Sequence, residues 1–312
     1  MNSSPEISRV AVVGTGLIGS SWAALFLARG LTVTATDPAP NAERDLRAYV
    51  ARVWPALQEI GLAAGASPDR LTFHPDFESA VASVDFVQEN GPERIDYKVR
   101  MFADLDAVLP PHVILASSTS GLTMSAIQVG CRHPARCVVG HPFNPPHLIP
   151  LVEVVAGAAT ATDTVVRAEA FYASLGKRTI RLHKEVPGHV ANRLQAALWR
   201  EAVHLVAEGV VSVADVDAAV SWGPGLRWGA MGPNLIFHLG GGPGGIEHFM
   251  NHLSGPFTGW WEDLGRPVLT PELKAKIIQG VHDEAAGRSL PELAAERDKV
   301  IQGLLALRRG QD

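Results

Sequence analysis

The sequence predicts an α/β chain, a mostly parallel sheet domain followed by an all-helical C-terminal domain, and three observations carry that expectation. Short β-branched runs alternate with helical patterns from Arg9 to Leu182. Strand signals stop after Lys184, and the rest reads as helices punctuated by Gly and Pro. At 312 residues the chain is long enough to build two cores. The change of pattern puts the boundary at Pro187-Gly188, giving domains 1–187 and 188–312.

The first elements are a run VAVVG from Val10, a small-residue helix GLIGSSWAALFLARG from Gly16, and a second run LTVTATD from Leu31, which together form a β-α-β unit. Buried-strand patterns follow at Asp85 to Gln88, Val113 to Ser117, Cys137 to Gly140, Leu151 to Val155 and Thr179 to Leu182. Strands separated by helices imply parallel pairing with both faces covered. In the helical part, Leu194, Leu198, Ala202 and Leu205 share one face, Ser212 with Asp215 starts another helix, and the tail from Thr270 to Arg309 supplies two more. Helices with broad apolar faces commonly pack on a copy of themselves, so a homodimer is expected.

Composition narrows the function. The 27 basic against 32 acidic residues leave a net charge of −5, and no basic cluster exceeds Arg308-Arg309, so nothing attracts a nucleic-acid backbone. Cys131 and Cys137 stand without the further ligands of a zinc site, which points to a reduced, metal-free cytoplasmic protein. Met1 to Arg9 lacks the basic start and apolar run of a signal peptide, and no stretch reaches the ~18 apolar residues of a membrane span.

Gly14-Thr15-Gly16-Leu17-Ile18-Gly19 is a G-x-G-x-x-G run placed directly after a strand and opening a helix, the context of a Rossmann-type dinucleotide site. Gly14 permits the tight turn, Gly16 lets backbone approach a pyrophosphate, and Gly19 lets helix and strand pack closely. Asp37 ends the next strand, where a carboxylate receives ribose hydroxyls and repels a 2′-phosphate, so NAD is expected over NADP. The competing reading, an ordinary strand-to-helix turn with a capping Asp37, explains each residue alone but not the set.

Three polar residues fall at or near the C-terminal ends of strands, where open α/β sheets place ligands: Ser120 in SSTSG, His141 in VVGHPFNPP and Glu153 in PLVEVV. A histidine, with an ordinary pKa of about 6.5, can take a hydroxyl proton near neutral pH. A carboxylate on a neighbouring strand can fix its tautomer and stabilise the imidazolium. Asn192, in the first turns of the helix after the boundary, brings an amide toward the cleft.

With these residues in view, the sequence resembles the L-3-hydroxyacyl-CoA dehydrogenase superfamily over nearly its whole length. The resemblance is carried in order by the Gly14 fingerprint, Asp37, QENGPERIDYK, SSTSG, HPFNPPHLIPLVEVV, PGHVANR and MGP at Met231 to Pro233. It implies His141 as general base with Glu153 as its partner, and Ser120 and Asn192 as hydrogen-bonders to the substrate oxygen. It also implies that Glu93 and Lys98 approach the nicotinamide end of the cofactor; taken alone, these two read as a helix-start charge and a solvated helix face. The implied reaction takes a small L-3-hydroxy acid to its 3-oxo acid.

The departures from the CoA-dependent members are informative. Those members carry a lysine-rich helical segment after the second strand that meets the CoA phosphates, whereas this chain has no lysine before Lys98. The segment GPGLRWGAMGP adds residues where they have a shorter connection. The sequence thus resembles the free-acid branch, of carnitine and gulonate type, with oxidation of a short 3-hydroxyacyl-CoA as the alternative. Because one relative in that branch serves as a lens crystallin, a structural NAD-binding protein is the rival from another class, separable by NAD reduction with any 3-hydroxy acid. Arg227 is the candidate for the substrate carboxylate, its planar fork suiting bidentate binding. For a trimethylammonium, Trp228 and its companions Trp222, Trp260 and Trp261 offer ring faces, although Trp in a helical domain more often fills a core or an interface.

Overall fold

The computed structural model describes residues 7–308. It divides into two compact units, Met1–Asn192 and Arg193–Asp312, so the division falls five residues beyond the expected Pro187. The expected end of the last helix at Arg309, and the start of the chain before Ile7, lie outside the described residues.

The first unit is one eight-stranded sheet in the order β3-β2-β1-β4-β5-β6-β7-β8. Its strands are β1 (Arg9–Val13), β2 (Thr32–Thr36), β3 (Leu71–Phe73), β4 (Phe86–Glu89), β5 (Ile114–Ser117), β6 (Cys137–Pro142), β7 (Leu151–Ala156) and β8 (Arg178–Leu182). Every neighbouring pair is parallel except β6 with β7. The five later strands stand within a residue or two of their expected bounds. β3 was not expected, because three residues show no periodicity; it forms by extending β2 at the sheet edge, with Val33 opposite Leu71.

Alternation along the strands builds a core on each face. Val10, Val12, Ile114, Ala116 and Val138 point to one side, where they meet Trp22, Phe26, Phe171 and Tyr172. Ala11, Val13, Leu115 and Val139 point to the other, against Phe102, Leu105 and Met124. These partners come from α1 (Leu17–Ala28), α4 (Ile95–Val108), α5 (Met124–Ile127) and α6 (Thr162–Ser174), with α2 (Ala42–Ile60) and α3 (Phe77–Val81) completing the cover. Helix α1 is apolar or small all round and is buried from Gly19 to Ala28, as expected for a helix without a polar face.

The second unit is helical: most of α7 (Ala191–Ala207), then α8 (Val213–Trp222), α9 (Pro224–Ala230), α10 (Pro233–Gly240), α11 (Gly245–His248), α12 (Gly255–Asp263), α13 (Pro271–Ala285) and α14 (Leu290–Arg308). Ser212 caps α8 as expected, its hydroxyl accepting from the Asp215 N–H at 3.1 Å, and Thr270 caps α13. Its buried core is small, Val206, Val213 and Val216 with Ala202, Leu205, Val211 and Ile277 around them. Leu194 and Leu198, expected on the same apolar face of α7 as Ala202 and Leu205, are exposed. Trp222, Trp228, Trp260 and Trp261 are exposed as well, so none of them fills the core of this unit.

Candidate active site

The turn from β1 into α1 has the geometry that a pyrophosphate requires. Gly14 sits at φ +87°, and a Cβ there would lie 2.9 Å from the carbonyl of Asn90, so both conformation and space demand glycine. A Cβ on Gly19 would lie 1.9 Å from the Gly14 carbonyl oxygen, which is the close helix–strand approach. Beside Gly16, by contrast, a Cβ would meet nothing within 4 Å, leaving open space at the N-terminus of α1, where helix N–H groups attract a phosphate. Leu17 and Ile18 form the first turn at that opening, Leu17 exposed and Ile18 half-buried. Directly after β2, the Asp37 carboxylate accepts from the Thr15 N–H at 2.7 Å and the Ala39 N–H at 2.8 Å, so it is held beside the glycine turn. These residues fit a dinucleotide.

His141 and Glu153 are brought together by the one antiparallel step in the sheet. The chain returns from β6 to β7 through only eight residues, 143–150, too few for a parallel crossover, and the register sets His141 opposite Glu153. His141 Nδ1 lies 2.7 Å from Glu153 Oε2. The other carboxylate oxygen accepts from the N–H groups of Val190 and Ala191 at 2.8 and 3.0 Å, where α7 begins. Burial works against the charge of Glu153, yet the bonds from His141, Ala191 and Val190 hold its carboxyl below the usual range. A carboxylate fixed in the ionised state on Nδ1 leaves Nε2 of His141 to exchange a proton.

Ser120 lies on the loop after β5, and Glu93 organises that loop. Glu93 Oε1 accepts from Thr119 Oγ1 at 2.7 Å and from the N–H groups of Ser120 and Gly121, each at 2.9 Å. Burial raises the Glu93 pKa, but the Thr119 hydroxyl, the Lys98 charge and the two N–H groups outweigh it and hold the carboxyl low. The Asn192 amide donates to the Ser120 carbonyl at 3.1 Å, so it meets the loop through backbone, and the exposed Ser120 hydroxyl donates to Glu93 Oε1 at 3.3 Å.

Lys98 departs from its expected place. It is 1% exposed, and its ammonium donates to both oxygens of the buried Glu89, at 2.9 and 2.8 Å, and to the Gly91 carbonyl, with Glu93 at 3.9 Å. Neither a solvated face nor a group at the cleft surface describes it; it lies behind Glu93.

The structure therefore brings His141, Glu153, Ser120, Asn192 and Glu93 together in the first unit. Arg227 and Trp228 belong to the second, on α9, where both are exposed. Sequence reasoning missed His189, whose buried ring stacks at a tilt on His141 with centroids 5.2 Å apart. The available signal was its position within PGHVANR, three residues before Asn192.

Comparison with known proteins agrees with this geometry. Residues 9–186 match the NAD binding domain of 3-hydroxyacyl-CoA dehydrogenase, and residues 188–281 match the C-terminal domain. The chain is 52% identical over 300 residues to the L-carnitine dehydrogenase of Streptomyces griseus subsp. griseus, covering 96% of this chain and 90% of that protein. It is 46% identical to the L-carnitine dehydrogenase of Pseudomonas aeruginosa, covering 96% and 94%. Among solved structures, 5-formyl-3-hydroxy-2-methylpyridine 4-carboxylic acid 5-dehydrogenase, an NAD⁺-dependent dismutase, superposes with a TM-score of 0.84 at 30% identity over 98% of this chain and 99% of that one. The 3-hydroxybutyryl-CoA dehydrogenase of Escherichia coli K12 superposes with a TM-score of 0.65 at 29% identity over 88% and 57%. A dinucleotide turn on the first unit, a histidine–carboxylate pair at the strand ends, and both family domains in order lead to one conclusion: the chain is an NAD-dependent oxidoreductase that belongs to the 3-hydroxyacyl-CoA dehydrogenase family.

Proposed function

We propose that the chain oxidises L-carnitine at its C3 hydroxyl, giving the 3-oxo acid. The observation that carries this reading is the identity of 52% and 51%, over nearly the whole chain, to two L-carnitine dehydrogenases of Streptomyces. NAD, when bound, supplies the acceptor for the C3 hydride. His141 Nε2 takes the hydroxyl proton, and Glu153, ionised and bonded to Nδ1, stabilises the resulting imidazolium. Ser120 and Asn192 bind the C3 oxygen as its charge changes, while Glu93, backed by Lys98, holds the Ser120 loop and borders the nicotinamide end of the site. Gly14 to Gly19 and Asp37 orient the cofactor. Arg227 binds the substrate carboxylate and Trp228 faces the trimethylammonium.

The electrostatics of α2 favour a free acid over a CoA thioester. The helix carries no lysine, and two of its arginines already have carboxylate partners, Arg44 with Asp45 at 2.9 Å and Arg47 with Glu43 at 2.8 Å. Among the described residues no helix is long and apolar enough to cross a membrane. A homodimer in the cytoplasm completes the reading; the apolar helix faces that the second unit leaves exposed support the dimer. The test is kcat/KM for L-carnitine, L-gulonate, 3-hydroxybutyrate and 3-hydroxybutyryl-CoA with NAD. L-Carnitine is expected to lead, and a higher value for the CoA thioester would overturn the assignment.

A further inference from the structure

His189 is built in a way that ordinary packing does not explain. It adopts φ +50°, a left-handed conformation uncommon outside glycine, and it is 1% exposed. Its Nε2 lies 3.1 Å from the Thr119 carbonyl oxygen, whereas its Nδ1 is buried without a hydrogen-bond partner. A carbonyl can only accept, so Nε2 carries the hydrogen, and because a second hydrogen on the buried Nδ1 would face no acceptor, the geometry favours the neutral imidazole.

The contrast with His141 is informative, because the two rings lie 5.2 Å apart and have opposite surroundings. His141 has the buried carboxylate of Glu153 on its Nδ1 and can carry a charge. Burial pushes the pKa of His189 down, the Thr119 carbonyl raises it, and the His141 charge lowers it, with Glu153 and Glu93 as weaker raising influences. One ring is equipped to take a proton and the other to stay neutral.

The carbonyl that His189 holds belongs to the residue before Ser120. Glu93 gathers the Thr119 hydroxyl and the N–H groups of Ser120 and Gly121, Asn192 takes the Ser120 carbonyl, and His189 takes the remaining carbonyl, that of Thr119. The residues after His189 run directly into the N–H groups that Glu153 binds. His189 therefore ties the Ser120 loop to the segment that Glu153 pins beside His141. We propose that His189 is a positioning residue for this reaction, a neutral imidazole that holds the Thr119 carbonyl and thereby ties the Ser120 loop to the His141 ring against which it packs. The inference rests on the roles given above to Ser120 and His141.

A double-mutant cycle tests it, with H189F, S120A and the double variant assayed for L-carnitine oxidation. H189F keeps a flat ring and removes both nitrogens. It is expected to lower kcat and kcat/KM together by on the order of 10–100-fold, the cost of a misplaced group in the transition state, with NAD affinity unchanged. The double variant is expected to be no slower than S120A, and H189Q, whose Nε2 reaches the same carbonyl, to recover most of the loss without moving the acid limb of the pH–rate profile. If H189F folds poorly, H189N takes its place, since Asn tolerates positive φ but is too short to reach the carbonyl. An H189F enzyme with normal kcat, or one that slows S120A by the same factor as the unaltered enzyme, overturns the inference while leaving the role of Ser120 standing. Normal turnover in S120A alone overturns that role and the inference with it.

Discussion

In the first unit, helix α1 hides every residue from Gly19 to Ala28, whereas in the second, the nineteen-residue α14 hides none. The same contrast runs through both units. Sheet strands offer flat faces on which α1, α4, α5 and α6 pack, and buried charges there are paired, as in Asp106 with Arg136 or Lys98 with Glu89. The second unit packs its helices around a few valines and leaves Trp222, Leu194 and Leu290 in the open. The first unit sets His141 on Glu153 with its own strands, whereas the second leaves apolar side chains exposed. Five experiments sharpen or break that comparison.

The largest effect is expected from H141A, because positioned acid–base catalysis is worth about 10²–10⁴-fold. Turnover should fall by that factor while NAD binding, measured by fluorescence titration, stays intact. Near-normal turnover would remove His141 from the mechanism and with it the claim that the first unit carries the chemistry.

Next is the buried network of Arg136, whose guanidinium donates to Asp106 Oδ1 at 2.7 Å and to the carbonyls of Asp106 and Leu109. R136M leaves the buried Asp106 carboxylate without its guanidinium partner, held by the N–H groups of Arg132 and His133, and should destabilise the chain by roughly 3 kcal/mol in denaturant titration. R288M removes an ion pair with Glu296 on the surface of the second unit and should leave Tm within error. Equal losses for the two would contradict the difference in packing.

R227M tests the second unit as a substrate-binding surface. KM for L-carnitine should rise on the order of 10–100-fold, the range for hydrogen bonds to a charged group, with NAD affinity and the sedimentation coefficient unchanged. A lower sedimentation coefficient with unaltered residual kinetics would make Arg227 an interface residue instead.

A smaller change is expected from D37A, which removes a ribose partner and the repulsion of a 2′-phosphate. The preference for NAD over NADP should narrow by about tenfold, in line with the loss of a charged hydrogen bond. An unchanged ratio of kcat/KM for the two cofactors would reduce Asp37 to a support for the Thr15 and Ala39 N–H groups.

Acid stability should show the smallest difference. Glu153 and Asp106 are held below their ordinary values of 4.5 and 3.8. A depressed carboxylate contributes stability that is complete above its unfolded pKa and lost as pH falls through its folded value. Tm should therefore decline as pH is lowered from 4.5, and the gap between the unaltered chain and R136M should narrow below pH 3.8, where Asp106 takes up a proton. A gap that is constant with pH would mean that Asp106 gains nothing from Arg136.

The β-α-β start, the glycine turn, Asp37 and His141 were all legible in the sequence because each is a local pattern: a period, a spacing, or a residue at a strand end. The class of reaction was legible for the same reason, through motifs spaced in order. Five features were not. β3 is too short to show a period, and the unit boundary moves from Pro187 to Asn192 because Glu153 holds the N–H groups of Val190 and Ala191 within the first unit. Lys98 was expected near the nicotinamide end by resemblance and as a solvated helix face taken alone, and nothing local announces the pairing with Glu89, nine residues away, that accompanies its burial. The lone antiparallel step that sets His141 on Glu153 follows from the length of the connecting loop, yet the register comes from the strands' contacts. His189 carried no local signal, because its role depends on a carbonyl seventy residues away. The sequence by itself determined which segments form strands and helices and which residues can bind phosphate, ribose and a proton, since those properties reside in backbone preference and side-chain chemistry. Tertiary structure alone decided which polar groups meet, which are buried and therefore which protonation states are held, because hydrogen bonding and desolvation act between segments far apart in the chain.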